Sequence, residues 1–309
     1  MVEAAPWWGL LLAPALLLLF AVAAVAGDAL LDAGQAGRPV TAGTALRPLL
    51  DVVRAPLVQP RRTPTPDLLL WRLGVVTVPV AAVMSVLVVP LGDHVLADLS
   101  VGVVWFNAME VLTWAGLWLA GWGPNAALSL VGGYRFLAQG LAYELPLMFA
   151  LIAPATGAES LRVGDIVAAQ QGLWYAVWMP VAFAVFLGGV LAFGFLGPFA
   201  YPAGSDIAGG VLGEVAGVDR LLLRAGRWLW LTAGSAMAVP LFLGGGAGPG
   251  LPAWAWSLLK TLAVLALLVW VRRRLPVVRA DRYVELAWVV LIPLTILQTL
   301  ITALVVLGR

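Results

Sequence analysis

Eight separate runs of mostly apolar residues, each long enough to cross a lipid bilayer as a helix, dominate this sequence. An α-helix rises about 1.5 Å per residue, so about 20 residues cross the hydrocarbon layer. The chain is only 11% charged, whereas soluble domains average roughly 25% charged residues. The runs predict an all-α, polytopic membrane protein with one membrane domain, residues 1–309. The eight predicted transmembrane helices cover residues 7–26, 73–91, 99–120, 136–154, 174–195, 228–243, 254–270 and 286–307.

The arginines are distributed very unevenly among the connections between these spans. Fifteen of the seventeen lie in the first, third, fifth and seventh connections, which eight alternating spans place on one side of the membrane. Positively charged loops remain in the cytoplasm, so both termini are predicted to lie outside, in a multi-pass protein of the bacterial plasma membrane. The fifteen are Arg38, Arg47, Arg54, Arg61, Arg62, Arg72, Arg135, Arg220, Arg224, Arg227, Arg272, Arg273, Arg274, Arg279 and Arg282. The other two are Arg162 and Arg309.

The chain has few side chains that could bind a redox cofactor. It contains no cysteine and a single histidine, His94. This excludes disulfides, thiolate-bound iron–sulfur clusters and haem held by two histidines within the chain, and it makes a zinc site improbable. We therefore expect no metal and no cofactor bound by the chain's own ligands. Any redox centre of that kind must be carried by a partner protein.

Three ionisable residues, Glu110, Glu144 and Lys260, lie well inside predicted spans. Such residues are costly in a membrane, and they usually mark a proton or ion pathway. The alternative is a hydrogen bond or ion pair that only holds helices together. Both interpretations stay open for each residue.

The fourth span carries a polar stripe formed by Arg135, Gln139 and Tyr143, which recur at every fourth position. Glu144 is nine residues, about two and a half turns, from Arg135 and so faces nearly the opposite way. The two therefore cannot pair within the helix. Glu144 is predicted to face another helix or water.

Two connections have features of their own. In the connection 27–72, apolar residues at helical spacing predict an amphipathic helix with Pro48 in its first turn. That helix either lies in the membrane interface or is an ordinary surface helix. The glycine-rich stretch 197–217 either lines a cavity at membrane depth or is a plain cytoplasmic loop. Its acids, Asp206 and Glu214, would share one face if the stretch were helical.

Several of these segments resemble one known family. Residues 260–282 contain Lys-Thr, an apolar run, Trp-Val-Arg, Leu-Pro, and then Arg and Asp, while residues 121–144 contain Gly-Trp, Asn, Gly, Arg, Ala-Gln and Tyr-Glu at matching spacing. Both patterns are similar to the H-type membrane subunit of bacterial NADH-quinone oxidoreductase, the subunit 1 family of respiratory complex I. The membrane subunits of formate hydrogenlyase and other group 4 hydrogenases belong to the same superfamily. Weaker matches at 47–51 and 164–170 extend the resemblance to residues 37–307.

The resemblance implies a membrane subunit of a proton-translocating translocase. Such a subunit forms part of the quinone chamber, at a site shared with a peripheral iron–sulfur subunit, and links the redox arm to the other, proton-pumping membrane subunits. Its partners would be these subunits, quinone and membrane lipid, with no nucleic acid. It would not be catalytic alone.

The resemblance, taken together with the intramembrane charges and the acids of the 197–217 stretch, predicts roles for individual residues. The proton path would contain Glu144, Lys260, Glu110, Asp206 and Glu214. The quinone chamber or its bracing would contain Arg135, Gln139, Tyr143, Arg47, Asp51, Pro198 and Phe199. The peripheral partner would dock on Arg272, Arg273, Arg274, Arg279 and Arg282.

The sequence also departs from the family. Most of the acids that the family carries between spans five and six are missing, whereas Glu110 is additional. The altered loop keeps a second interpretation open, namely the membrane anchor of a group 4 hydrogenase. A third interpretation, an independent ion or solute transporter, is disfavoured because the sequence shows no internal repeat and few intramembrane charges.

Overall fold

The structure is a computed structural model that describes residues 3–59 and 63–308. Arg61, Arg62 and Arg309, which contribute to the predicted charge asymmetry, lie outside the described residues. The regular secondary structure of the described part is helical except for two short parallel strands, β1 (Glu3–Ala4) and β2 (His94–Val95). Its α-helices are α1 (Gly9–Gln35), α2 (Ala42–Arg54), α3 (Leu68–Ser85), α4 (Gly102–Trp122), α5 (Ala127–Ala158), α6 (Val163–Ala169), α7 (Tyr175–Trp178), α8 (Pro180–Phe193), α9 (Gly217–Phe242), α10 (Ala253–Arg274), α11 (Ala280–Leu286) and α12 (Ile292–Leu307).

Six helical stretches of the described chain are long and apolar enough to cross a membrane. They confirm the predicted all-helical polytopic architecture. They are Gly9–Gln35, Leu68–Val88, Gly102–Trp122, Ala127–Ala158, Ala253–Arg274 and Ala280–Leu307. The two other predicted spans correspond to the pair α7 and α8, which is short, and to α9, whose first three turns are charged.

The span predicted at 174–195 is broken, because Met179 between α7 and α8 leaves the helical conformation, with φ −119° and ψ 49°. The next residue, Pro180, has no N–H and restricts the residue before it. In the last predicted span a π-helical turn, Ala287–Leu291, precedes the Pro293 turn that opens α12. Prolines therefore set the interruptions of both spans.

The amphipathic segment of the first long connection does form a helix, α2, but its predicted start is wrong. Thr41 caps the helix by accepting a hydrogen bond from the Thr44 backbone N–H (3.3 Å). Pro48 is consequently the seventh residue of the helix and does not lie in its first turn. The N-cap threonine was the relevant signal, since a side-chain oxygen satisfies a free N–H at the helix start.

The connections with many arginines contact one another at one end of the helix bundle. The Asp67 N–H donates to the Gly123 carbonyl (2.8 Å), and the Val278 N–H donates to the Pro198 carbonyl (2.8 Å). The opposite end is tied together by the connections with few arginines. There β1 pairs with β2, and the Val103 N–H donates to the Leu161 carbonyl (3.1 Å).

Small residues and aromatic rings fill the space between the helices. Gly74 of α3 lies so close to α4 that an added Cβ would sit 2.4 Å from the Ala120 nitrogen. Close backbone contact of this kind is typical of membrane helix pairs. Near the centre, Trp230 of α9 packs edge-on against Phe106 of α4 and Phe193 of α8, with ring centroids 6.0 and 5.1 Å away. The fold therefore has a continuous packed core among α3, α4, α8 and α9.

Candidate functional site: an arginine-walled cavity and a buried carboxylate pair

A cavity of about 670 Å³ lies between α1, α2 and the first half of α9. Its apolar wall is the face of α1 that carries Leu18, Ala21, Val22 and Val25, at helical spacing. The helix α2 covers the opposite side with Pro48, Leu49 and Val52. The amphipathic helix thus forms one wall of the cavity.

The end of the cavity near the arginine-rich connections is polar and positively charged. It is lined by five arginines, Arg54, Arg220, Arg224, Arg227 and Arg272, and by two aspartates, Asp28 and Asp51. The aspartates form ion pairs there, Asp28 with Arg272 (2.9 Å) and Asp51 with Arg224 (3.7 Å). The Nε groups of Arg227 and Arg272 are buried and have no hydrogen-bond acceptor among the described residues.

An apolar wall with a few donors at one end suits an amphipathic ligand that has an apolar tail and a head group with acceptor oxygens.

Two residues of α2 were predicted to belong to the quinone chamber. Asp51 does line the cavity, whereas Arg47 is exposed and absent from its walls. Sequence reasoning assigned Arg220, Arg224 and Arg227 to the cytoplasmic face without placing them at a cavity, because the approach of α9 to α1 is a tertiary feature.

An ion-pair cluster joins α1 to the end of α10 beside this cavity. Arg273 donates to both carboxylate oxygens of Asp28 (2.7 Å each) and to Asp32 (2.6 Å). The guanidinium groups of Arg272 and Arg273 are therefore engaged inside the chain, although both were predicted to dock a partner. The other three docking candidates, Arg274, Arg279 and Arg282, are exposed. Docking of a partner stays a prediction, and these three arginines are the best placed for it.

The structure brings together two carboxylates that the sequence treated separately. Glu110 of α4 is completely buried and accepts hydrogen bonds from Trp114 Nε1 (2.8 Å) and the Tyr143 hydroxyl. Glu144 of α5 is partly buried and accepts a hydrogen bond from Asn107 Nδ2 (2.9 Å). Asn107 and Glu110 lie one turn apart on α4 and contact the adjacent α5 residues Glu144 and Tyr143, which brings both carboxyl groups into one network at the α4–α5 interface. Glu144 therefore faces another helix, as predicted, and the helix it faces is α4.

Asn107 and Trp114, which sequence reasoning missed, belong to the same network. They lie three residues before and four residues after Glu110, which puts all three side chains on one face of α4. That spacing was the available signal. Tyr143, predicted to belong to a stripe with Arg135, contacts this network, and its hydroxyl also accepts from Trp114 Nε1 (2.9 Å).

The rest of the predicted α5 stripe braces the helix against its neighbours. Arg135 donates to Asp206 (2.7 Å) and lies over the Tyr201 ring at 3.9 Å, while Gln139 donates to the Ala192 carbonyl (3.0 Å). The hydrogen bond from Arg135, followed by its charge, lowers the pKa of Asp206. These contacts attach the 197–217 segment and α8 to α5.

Asp206 and Glu214 do not share a face, because the 197–217 stretch is not the continuous helix that such a face requires. The segment folds as four separate 3₁₀ turns, Gly197–Phe199, Tyr201–Ala203, Ser205–Ile207 and Gly210–Leu212. Consecutive residues Ala208, Gly209 and Gly210 have positive φ angles of 50°, 91° and 47°, which break a right-handed helix. Asp206 pairs with Arg135, whereas no ion pair of the described chain includes Glu214.

Two other predicted chamber residues, Pro198 and Phe199, are buried in the first of these turns. The Pro198 carbonyl accepts from the Val278 N–H, and the Phe199 ring packs edge-on against Tyr283 at 4.8 Å. Neither residue lines the large cavity. Both attach the segment to the connection between α10 and α11.

Lys260 lies near the other end of the bundle. Its ammonium group donates to the carbonyls of Leu243 (2.7 Å), Gly245 (2.9 Å) and Ala247 (2.7 Å) and lies 4.2 Å from the Trp174 ring centre. In residues 3–59 and 63–308, no ion pair joins Lys260 to a carboxylate. Its contacts therefore fix the glycine-rich loop between α9 and α10.

Comparison with known proteins agrees with the resemblance seen in the sequence. Residues 35–303 match a family model described as NADH dehydrogenase. The chain is 35% identical to the second of the NADH-quinone oxidoreductase H subunits of Geobacter sulfurreducens over 268 residues, 83% of this chain and 82% of the relative. It is 33% identical to the NADH-quinone oxidoreductase H subunit of Geobacillus kaustophilus over 266 residues, 84% of this chain and 80% of the relative.

Proposed function

The chain belongs to the family of NADH-quinone oxidoreductase H subunits, and from this premise we propose that it forms part of the quinone chamber of a proton-translocating complex. In this proposal the subunit links a peripheral redox arm to the proton-pumping membrane arm. Electron-transfer centres belong to partner subunits, because this chain has no cysteine and one histidine. The subunit supplies the apolar lining and the charged groups of the chamber, and it transfers no electrons by itself.

The observation that carries the proposal is the cavity between α1, α2 and α9. Its volume of about 670 Å³ falls within the range of roughly 300–1,000 Å³ that is usual for small-molecule sites. A quinone has an apolar tail and carbonyl oxygens that accept hydrogen bonds. The α1 wall offers Leu18, Val22 and Val25 to the tail, while the buried Nε groups of Arg227 and Arg272 offer donors to the head group.

The proposed topology has eight spans with both termini outside the cytoplasm, in a bacterial plasma membrane. The uneven distribution of arginines supports it. The contacts at the two ends of the bundle support it as well, because the arginine-rich connections contact one another and the N-terminal strand pairs with the connection between α3 and α4. The cavity then opens near the cytoplasmic face, where Arg274, Arg279 and Arg282 are exposed to a peripheral iron–sulfur partner.

The proposed proton path runs through the Glu110–Glu144 pair. Glu144 is the more accessible member, so it would exchange the proton, while Glu110, Tyr143 and Trp114 hold the pair in place. Arg135 and Asp206 brace the adjacent segment. The contacts of Lys260 favour a structural role, and they connect it to no other member of the path.

A bulky substitution in the cavity tests the chamber. Val22 lines the cavity, whereas the next residue, Ala23, faces outward and is exposed. Val22→Trp should fill the space and lower the rate of quinone reduction by the whole complex about tenfold, equivalent to about 1.4 kcal/mol. Ala23→Trp, the matched control, should retain the rate. Donor oxidation with a water-soluble artificial acceptor should be normal in both variants, which isolates the quinone step.

The chamber proposal fails if Val22→Trp reduces a long-chain quinone at the rate of the Ala23→Trp control while the subunit is present in normal amount. A lower rate with both quinone and the artificial acceptor would instead reveal a defect of assembly. That result would require the smaller change Val22→Phe. Retention of the normal quinone rate by Val22→Phe as well would reject the chamber.

One observation favours a second candidate, the membrane anchor of a group 4 hydrogenase. The segment 197–217 contains only two acids, Asp206 and Glu214, so the loop offers few carboxylates for coupling to quinone chemistry. The identity of the co-purifying peripheral subunits discriminates between the candidates. A large subunit with two Cys-x-x-Cys motifs would favour the hydrogenase, and an NADH-oxidising module would favour the quinone-linked complex.

A further inference from the structure

The contact between Glu110 and Glu144 leaves two buried oxygens without donors. In each carboxyl group Oε1 is satisfied, by Trp114 and Tyr143 for Glu110 and by Asn107 for Glu144. The Oε2 atoms of both groups are buried and have no hydrogen-bond donor among the described residues. Asn107 and Glu110, one turn apart on α4, contact the adjacent α5 residues Glu144 and Tyr143. The two carboxyl groups therefore belong to one network, in which either group, once protonated, can donate to the other.

Two ionised carboxylates in contact inside a membrane helix pair would be strongly destabilising. Each charge loses its hydration, and the two negative charges repel each other in a medium of low polarity. A single proton removes both problems, because a protonated carboxyl gains one O–H donor that the other carboxylate can accept. The pair then carries one negative charge, which Trp114, Tyr143 and Asn107 stabilise with their donors.

We infer that Glu110 and Glu144 share one proton between their Oε2 atoms and act as a two-carboxylate proton-binding site at the α4–α5 interface. Glu110 is fully buried, whereas Glu144 is partly accessible, so protons enter and leave through Glu144. The role of this site in translocation rests on the proposed function, but the shared proton does not.

The shared proton also assigns a role to the additional residue Glu110. Of the two carboxylates only Glu144 belongs to the pattern that resembles the family, whereas Glu110 is additional, and the loop 197–217 has few acids. A second carboxylate beside Glu144 provides a stable place for a proton in an interior with few ionisable groups. Glu110 is therefore a positioning residue that determines where the proton of Glu144 resides.

Infrared spectroscopy of the purified complex tests the inference, because a protonated carboxyl has its own C=O stretching band. In Glu110→Gln the glutamine amide replaces the shared proton as the donor to Glu144, which is partly accessible and ionises. In Glu144→Gln the fully buried Glu110 keeps a proton, because burial disfavours its charged form, but that proton has lost the carboxylate that accepted it. Glu110→Gln should therefore lose the whole band, equal to one carboxylic acid, whereas Glu144→Gln should keep the area of the band and shift it to higher frequency. The double variant should lose no more than Glu110→Gln. Glu159→Gln, a change at an exposed carboxylate, should lose nothing.

A further variant tests the network without altering either carboxylate. Tyr143→Phe removes the hydroxyl that donates to Glu110 Oε1 and accepts from Trp114 Nε1, and it leaves both carboxyl groups in place. The negative charge should then favour Glu144, so the band should keep its area and shift in frequency. An unshifted band would show that Tyr143 does not influence the shared proton and would overturn the inferred network.

The decisive variant is Glu144→Gln. If the two acids bind protons independently, the band keeps both its area and its frequency in this variant, and the inference is overturned. Equal spectra of the wild-type complex and the double variant would also overturn it. Quinone-reduction rates separate this result from the proposed function. A shifted band with an unchanged rate retains the shared proton and rejects the proposed path, whereas a slower rate with an unshifted band does the reverse.

Discussion

The contacts of Arg273 with α1 hold together the wall of the cavity, and their removal gives a prediction with a definite magnitude. Arg273 of α10 makes three hydrogen bonds of 2.6–2.7 Å to Asp28 and Asp32. Its side chain is only 17% exposed, and that of Asp28 only 13%. Arg273→Gln keeps some of the side-chain length but removes the charge and the bidentate geometry.

The expected cost follows from what remains after the substitution. Loss of one partner of a buried ion pair costs roughly 3–5 kcal/mol, because the other charge is left without compensation. Asp28 keeps Arg272 at 2.9 Å, and Asp32 is 48% exposed and keeps Arg38. The lower end, about 3 kcal/mol, therefore applies. For a chain of this length each 1 kcal/mol lowers the unfolding midpoint by about 2 °C, so a decrease of about 6 °C is expected.

The neighbouring residue Arg274 provides the control. It is exposed and lies over the Trp270 ring at 5.2 Å, an interaction worth about 0.5–1 kcal/mol at an exposed site. Arg274→Gln should therefore lower the midpoint by at most about 2 °C. The assay is thermal unfolding of the detergent-solubilised subunit, in one detergent, with both variants prepared in parallel.

A double-mutant cycle separates the ion pair from a general packing defect. If Asp28 and Arg273 interact as the structure indicates, the double variant Asp28→Asn/Arg273→Gln should lose less free energy of unfolding than the two single variants together. The difference should be about 0.5–3 kcal/mol. The reasoning is refuted if Arg273→Gln lowers the midpoint no more than Arg274→Gln. Strictly additive costs would also refute it, because they would mean that the two groups do not interact.

Two further predictions concern the segment 197–217. An added Cβ at Gly132 would lie 2.5 Å from the Val211 nitrogen and 2.6 Å from the Pro202 oxygen, so Gly132→Ala should destabilise the subunit by about 1–3 kcal/mol. Gly188→Ala in α8, where the Cβ meets nothing within 4 Å, should be neutral or slightly stabilising in the same thermal assay. The second prediction concerns pH. Because Arg135 lowers the pKa of Asp206, this ion pair stabilises the fold above the ordinary value of 3.8 and loses its contribution as the pH falls through the lowered pKa. The difference in unfolding midpoint between the wild type and Asp206→Asn should be constant from neutral pH to about pH 5 and vanish in stronger acid; a constant difference at all pH values would contradict the assignment.

Much of the fold follows from the sequence because lipid imposes a simple rule. Apolar runs of about 20 residues must be helices, since no other local structure satisfies their backbone in hydrocarbon. The rule does not set where helices end in the polar layers, and α1 accordingly continues to Gln35, well past the predicted end at residue 26. The break at Met179 depends on a different property of the sequence, the restriction that Pro180 places on the residue before it.

The candidate site was less predictable, for reasons that can be traced to particular residues. Glu110 and Glu144 stood out from their apolar surroundings, but their contact depends on how α4 rotates against α5, which no periodicity of either helix reveals. Arg272 and Arg273 looked like a docking surface because their aspartate partners lie about 240 residues earlier in the chain. Charged residues that the sequence alone indicates as exposed can therefore be engaged in ion pairs inside the folded chain.

A count of satisfied hydrogen-bonding groups separates the roles of the three intramembrane charges better than their depth does. All three were candidates for a proton path, since an ionisable residue in a span is functional by default. The ammonium group of Lys260 has three donors and finds three carbonyl oxygens, so its binding capacity is filled and its removal should chiefly loosen the loop at residues 243–247. Glu110 and Glu144 each keep one buried oxygen without a donor. A buried group whose hydrogen bonds are all satisfied has little tendency to gain or lose a proton. A buried carboxylate oxygen without a donor is stabilised when a proton binds to the pair. Of the three residues, only the two glutamates therefore have the physical basis for binding a proton that can move.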